Sequence, residues 1–130
     1  MIEVTIIEDD DETAEMLAEM MRLSGYSVRL YHSAQTAMAA LQHHRPAVII
    51  LDLMMPDISG LQVLRYVRRD PRLHDIPVII LSAKSTPPEI QEGLEAGANQ
   101  YLTKPVMFNE LRNAVQEVLS TSSPPKATSP

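Results

Sequence analysis

The sequence predicts an α/β fold, a doubly wound parallel sheet of five strands flanked by five helices. Three observations predict it. Short apolar runs alternate with stretches of helical periodicity five times along the chain, the pattern of strand–helix units joined by right-handed crossovers. The runs Ala47-Val48-Ile49-Ile50-Leu51 and Val78-Ile79-Ile80-Leu81 lack period-two alternation, so both faces of these strands should be covered. Polar residues with chemical capability stand at the carboxyl ends of the runs, where open α/β sheets place their sites.

Residues 4–7 read as the first strand, with Glu8, Asp9, Asp10 and Asp11 at its end. A helix should start near Asp11, because Ala14, Leu17, Met20 and Met21 fall at helical spacing and an acidic start suits both capping and the helix dipole. Gly25 should stop it. Residues 28–31 read as the second strand. Ser33 is a candidate N-cap for a helix from Ala34 to about His43, with Ala37, Met38 and Leu41 facing inward. Residues 47–51 form the third strand, ended by Asp52, and Pro56, Asp57, Ser59 and Gly60 open a loop.

Residues 60–69 should be helical, with Leu61, Leu64 and Val67 on one stripe. Asp70, Pro71 and Pro77 bound a loop before the fourth strand, residues 78–81, which leads to Ser82. Pro87 and Pro88 suit the first turn of a helix that Gly97 ends. Residues 100–103 make a short fifth strand before Lys104-Pro105, and Leu111, Val115, Val118 and Leu119 mark a last amphipathic helix. One domain, residues 1–119, is expected. Residues 120–130 are Ser, Thr and Pro with one Ala and one Lys, a composition that cannot pack a core; they read as a tail or a truncated linker.

Composition excludes several functions. With 130 residues and 45% hydrophobic content, one domain can build a core, which 4% aromatics and no Trp leave to aliphatic side chains. A net charge of −6 argues against gripping nucleic acid or anionic lipid by charge. The lack of Cys removes disulfides, thiolate metal sites and thiol nucleophiles. No basic, apolar leader and no membrane-length run is present, so a cytoplasmic protein without membrane contact is expected.

In a parallel sheet the strand ends line one edge. Glu8 and Asp9, Asp52, Ser82 and Lys104 would therefore converge on one crevice if the first strand is central. Carboxylates about 4 Å apart repel by roughly 4 kcal/mol per pair at an effective dielectric near 20. Such a cluster takes up protons or binds a cation. Oxygen ligands without His or Cys select Mg²⁺, Mn²⁺ or Ca²⁺. A carboxylate not consumed by the metal can act as a nucleophile toward phosphorus. Lys104 would then balance phosphoryl oxygens and the Ser82 hydroxyl would bond to one. Taken singly, each signal has an ordinary reading: a solvated helix start, a strand-end cap, a surface lysine. His32, His43, His44 and His74 lack paired metal spacing, and Met54-Met55 reads as packing.

The stretches IIEDD, VIILDLMMPDISG, VIILSAK and GANQYLTKP, in that order, resemble the receiver domains of two-component response regulators over residues 2–119. The resemblance implies a flavodoxin-like sheet with strand order 2-1-3-4-5. It implies Asp52 as phosphoacceptor, with Mg²⁺ (or Mn²⁺) held by Asp9, by Glu8 through water, by Asp52 and by the backbone carbonyl of Met54. It further implies Ser82 and Ala83 as phosphate-binding switch residues, Lys104 as phosphate partner, Tyr101 as switch aromatic and a cis Lys104–Pro105 bond. Met54 and Lys84 would tune the phosphoryl lifetime. Implied partners are a sensor histidine kinase and an output domain or protein, met through the helix 4/strand 5/helix 5 face, with a phosphorylation-dependent dimer as one outcome.

The chain departs from the family pattern at two places. Val106 and Met107 follow Lys104-Pro105 in place of the usual Phe and capping residue, so the last helix lacks an evident N-cap, a loss of roughly 1 kcal/mol. Asn99 and Gln100 replace the acidic residues that precede the final strand in one large DNA-binding class, removing charges of the dimer typical of that class. Two rivals fit less well. A phosphatase similar to the haloacid dehalogenase family would carry Asp-x-Asp, but Leu53 and Met54 follow Asp52. An unphosphorylated binding module should have lost an acidic or Lys residue, and none is lost.

Overall fold

The computed structural model describes residues 1–121. Its elements are β1 (Glu3–Ile7), α1 (Asp11–Leu23), β2 (Ser27–Tyr31), α2 (Ala34–Leu41), β3 (Val48–Leu51), α3 (Gly60–Arg69), β4 (Val78–Ser82), α4 (Pro87–Glu95), β5 (Gln100–Thr103) and α5 (Phe108–Thr121). The strands form one parallel sheet in the order β2-β1-β3-β4-β5. The expected fold class and strand order are found. The expected tail falls mostly on residues 122–130, outside the described residues.

Alternation of side chains along each buried strand divides the core in two. Val4, Ile6, Val48, Ile50, Ile79 and Leu81 pack with Leu17 and Met21 of α1 and Leu111, Val115 and Val118 of α5. Ile7, Ile49, Leu51, Val78 and Ile80 pack with Ala37 and Leu41 of α2 and Val63, Leu64 and Val67 of α3. The sheet is thus covered on both faces, which explains the unbroken apolar runs. Strand order reverses at β1, so the carboxyl ends of β1 and β3 open a crevice between crossovers on opposite faces.

Helix ends follow local chemistry. The Asp10 carboxylate accepts from the Thr13 N–H at the start of α1, and Gly25 takes φ 97° beyond its end. Helix α2 stops at Leu41, short of the expected His43. The Gln42 and His43 N–H groups tighten onto Ala39 and Ala40 carbonyls, and the Arg72 guanidinium donates to the Leu41 carbonyl. Thr86 and Glu89 form a reciprocal capping box on α4, which the Thr-Pro-Pro-Glu spelling already contains. Helix α5 starts with Met107 at the capping position, where only the Glu110 carboxylate reaches back to the Met107 N–H, at 3.5 Å. It runs two residues past the expected Leu119, because the Ser120 and Thr121 hydroxyls donate to the Glu117 carbonyl of the last turn.

One arginine stitches three segments. Arg68 of α3 donates to the carbonyls of His74, Ile76 and Gly97 and to Asn99 Oδ1, which also accepts the Val78 N–H at 2.8 Å. Asn99 is thereby consumed inside the chain, and Gln100 donates to Glu117 of α5 at 2.9 Å.

Among the described residues, Thr5 holds the one buried side-chain polar atom without a hydrogen-bond partner. It sits in β1, an interior strand between β2 and β3, at 1% exposure. A buried hydroxyl that bonds to nothing opposes folding, whereas Val has the same shape without that cost. Thr5→Val is expected to stabilise the domain by about 1 kcal/mol, read as a higher denaturation midpoint at unchanged m-value. A lower midpoint would mean that the hydroxyl is satisfied in solution.

Candidate functional site

Strands β1 and β3 pair in register, Ile7 opposite Leu51, so the residues that follow them leave the sheet side by side. The ladder extends one step further: Glu8 N–H donates to the Tyr31 carbonyl and Asp52 N–H to the Ile7 carbonyl, both at 3.0 Å. These bonds draw two carboxylates into the sheet edge, where Glu8 is 2% and Asp52 4% exposed. Asp9 joins them half-buried, and ligand oxygens of all three lie within 4.8 Å of one another.

Lys104 arrives from β5, its N–H donating to the Ser82 carbonyl at 2.9 Å. Its ammonium lies 2.8 Å from Glu8 Oε1 and 3.5 Å from Asp52 Oδ2. Burial pushes the Glu8 carboxyl above its ordinary value; the Lys104 hydrogen bond opposes this, and the Asp52 charge adds to it. For Lys104, burial alone would lower the ammonium, but the Glu8 hydrogen bond and the Asp52 charge outweigh burial and raise it. One ammonium faces three carboxylates, so the crevice keeps excess negative charge. All its donors are hard oxygens, which fits Mg²⁺ or Mn²⁺ and excludes a soft thiolate site.

The other expected residues surround this cluster. Ser82 is fully buried at the end of β4, and its hydroxyl accepts the Lys84 N–H at 3.2 Å. Ala83 and Lys84 are exposed on the loop beyond it. Met54 is 53% exposed while its N–H donates to Asp52 Oδ1 at 3.2 Å. A hollow of about 520 Å³ opens beside the carboxylates, lined by Asp9, Leu53, Met54, Pro56, Ser59 and Lys84. Half-buried Tyr101 donates its phenol to the Lys84 carbonyl at 2.7 Å, and burial pushes the phenol up against the opposing Ser82 hydroxyl. The Lys104–Pro105 bond is cis. No His joins the carboxylate cluster among the described residues; His44 bonds Glu3, and His32 lies 3.3 Å from Asp11.

Two features of the site escaped the sequence reading. Gly60 opens α3 because a Cβ there would overlap the Asp52 carbonyl and the Leu53 backbone. Asp57 bonds to the start of α2. Gly60 was legible only as a loop signal, and Asp57 has no local signal because its partners lie 22 and 23 residues away.

A response regulator receiver domain model matches residues 4–116. The chain belongs to that family. It is 34% identical over 127 residues to the phosphate regulon transcriptional regulatory protein PhoB of Pseudomonas aeruginosa, covering 98% of this chain and 56% of that protein. It is 33% identical over 126 residues to the response regulator MprA of Mycobacterium tuberculosis, covering 97% and 54%. The chain thus spans little more than half the length of these curated relatives. Among solved structures, a putative response regulator from Chloroflexus aurantiacus aligns at TM-score 0.88 and 34% identity, covering 92% of this chain and 98% of that one. The signal receiver domain of a signal transduction histidine kinase from Syntrophus aciditrophicus aligns at 0.88 and 31%, covering 100% and 98%. The domain is a signalling receiver rather than a metabolic enzyme, in a family that normally binds Mg²⁺. No helix among the described residues is long and apolar enough to cross a membrane.

The receiver's charge balance depends on Lys104. Removing one partner of a buried ion cluster leaves the others uncompensated, and Lys104→Met is expected to cost roughly 3 kcal/mol in the metal-free protein at pH 7. The pH dependence has a definite sign. A carboxyl raised in the folded state keeps its proton when the unfolded chain has released it, so stability from Glu8 falls as pH rises from the ordinary carboxylate value through the raised one. Lowering pH therefore returns stability, and more of it in the variant, where no ammonium opposes protonation. Urea denaturation at pH 7 and pH 5 checks this: the deficit should shrink at pH 5, and an equal deficit at both would contradict the charge argument.

Proposed function

We propose that this receiver takes a phosphoryl group from the phosphohistidine of a sensor histidine kinase onto Asp52, catalyses that transfer itself, and loses the group slowly to water. The observation that carries the reading is the nearly buried Asp52 carboxylate at the end of β3, among two further carboxylates and 3.5 Å from an ammonium. In the transfer an Asp52 oxygen attacks phosphorus, the P–N bond breaks and the imidazole leaves. Glu8 (through water), Asp9, Asp52 and the Met54 backbone carbonyl hold Mg²⁺, or Mn²⁺, which when bound neutralises charge on the phosphoryl oxygens. Lys104 exchanges its pairing with the Asp52 carboxylate for the phosphoryl oxygens, and the Ser82 hydroxyl and Ala83 N–H donate to them.

Lifetime and output follow from neighbouring residues. Met54, exposed and apolar, cannot orient an attacking water, and Lys84 stands across the same hollow. Incubation with a small phosphodonor and Mg²⁺ should add one phosphoryl mass to the wild type and none to Asp52→Asn. Met54→Asn should shorten the half-life of the labelled protein. Full labelling of Asp52→Asn would refute the acceptor, and unchanged decay would remove Met54.

For output, Ser82 must give up its Lys84 N–H contact to reach a phosphoryl group, shifting the loop whose Lys84 carbonyl holds the Tyr101 phenol. The Tyr101 ring packs under Gly93, where a Cβ would approach it to 2.9 Å, so a ring movement is felt by α4. The α4/β5/α5 face therefore meets the downstream output domain or protein, or a second receiver, in the cytoplasm. Backbone chemical shifts with and without beryllofluoride should change at Tyr101, α4 and α5; changes confined to the Asp52 loops would exclude this face.

A further inference from the structure

The loop from Leu53 to Ser59 carries the Met54 backbone, yet Met54, Pro56, Asp57 and Ser59 are exposed. Its ends are tied locally, by Gly60 N–H to the Leu53 carbonyl at 3.0 Å and by Met54 N–H to Asp52 Oδ1. Its middle is tied to another element by Asp57. One Asp57 oxygen accepts the Ala34 N–H at 3.3 Å and the other the Gln35 N–H at 2.9 Å. These are the first two N–H groups of α2, which no carbonyl within the helix can take. Helix α2 already has its own cap, Ser33, whose hydroxyl accepts the Thr36 N–H at 3.1 Å. The Asp57 contact is therefore more than helix capping: it spans from the site loop to a different crossover. The Gln35 hydrogen bond, with others from the backbone, holds the Asp57 carboxyl below its ordinary value, consistent with an anion at a helix N-terminus.

We propose that Asp57 is a positioning residue for the metal site. By bridging the loop to α2 it holds the Met54 backbone against Asp52, and so sets the affinity of the crevice for a divalent hard cation. The inference rests on the receiver-site reading above. Asn at this position would keep one acceptor oxygen but lose the charge and turn an N–H₂ toward the second donor.

The test measures melting temperature against Mg²⁺ concentration and extracts the apparent Kd by linkage, with no need for phosphorylation. Asp57→Ala should bind Mg²⁺ roughly ten-fold more weakly than wild type, the low end of the usual cost of losing a group that orients metal ligands. Asp57→Asn should fall between the two. Ser33→Ala removes a cap from the same helix end without touching the loop. It should lower the metal-free melting temperature yet keep the wild-type Kd. Wild-type affinity in Asp57→Ala and Asp57→Asn would overturn the proposal, as would an equal weakening in Ser33→Ala, which would trace the effect to helix stability. A wild type whose melting ignores Mg²⁺ would instead overturn the metal reading itself, and this inference with it.

Discussion

Two carboxylates drawn into the edge of an apolar sheet, with one ammonium between them, set the conditions for everything else in this domain. Moving an ion from water into protein costs several kcal/mol even after relaxation. Glu8 and Asp52 meet that cost partly through Lys104, which lies 2.8 Å from one and 3.5 Å from the other. Asp9 adds a third carboxylate to the cluster, so the metal-free crevice keeps unbalanced charge, while burial first and the Asp52 charge second raise the Glu8 carboxyl against the Lys104 hydrogen bond. A cluster of hard oxygens left short of positive charge favours a hard cation.

The sheet makes that balance possible. Glu8 and Lys104 are 96 residues apart, and the parallel order β2-β1-β3-β4-β5 brings their strand ends to one edge. The apolar runs behind them, buried on both faces, give the edge a rigid floor. Above the floor the loops are held by few polar contacts. Gly60 allows α3 to start against the Asp52 carbonyl, Asp57 bonds α2, and the Ser82 hydroxyl and the Tyr101 phenol bond the Lys84 backbone. A rigid floor with lightly tethered loops is the arrangement expected where a local charge change must move a few residues and no more.

Departures from the family pattern also find their place in the packing. Met107 cannot cap α5, and the Glu110 carboxylate reaches back weakly instead. Asn99 and Gln100 bond within the chain, to Arg68, Val78 and Glu117, so the polar groups before and in β5 serve internal links.

The amino-acid pattern alone determined the elements and which strand ends carry the polar residues of the crevice. Unbroken apolar runs demand strands covered on both faces, helical periodicity fills the intervals, and a carboxylate at the end of such a run has little reason to be there except chemistry. Glu8, Asp9, Asp52, Ser82 and Lys104 were legible because each sits at the same end of a recognisable strand. Helix ends were less so: α2 stops at Leu41, where Arg72, 31 residues away, donates to the Leu41 carbonyl. Only the tertiary structure decided that Lys104 pairs with Glu8 more closely than with Asp52, that Arg68 stitches α3 to two loops, and that Asp57 ties the site loop to α2. Each of these is a contact between side chains and groups remote in sequence. Periodicity and capping describe a residue's neighbours along the chain, whereas these bonds depend on where the crossovers set one strand end or helix start against another.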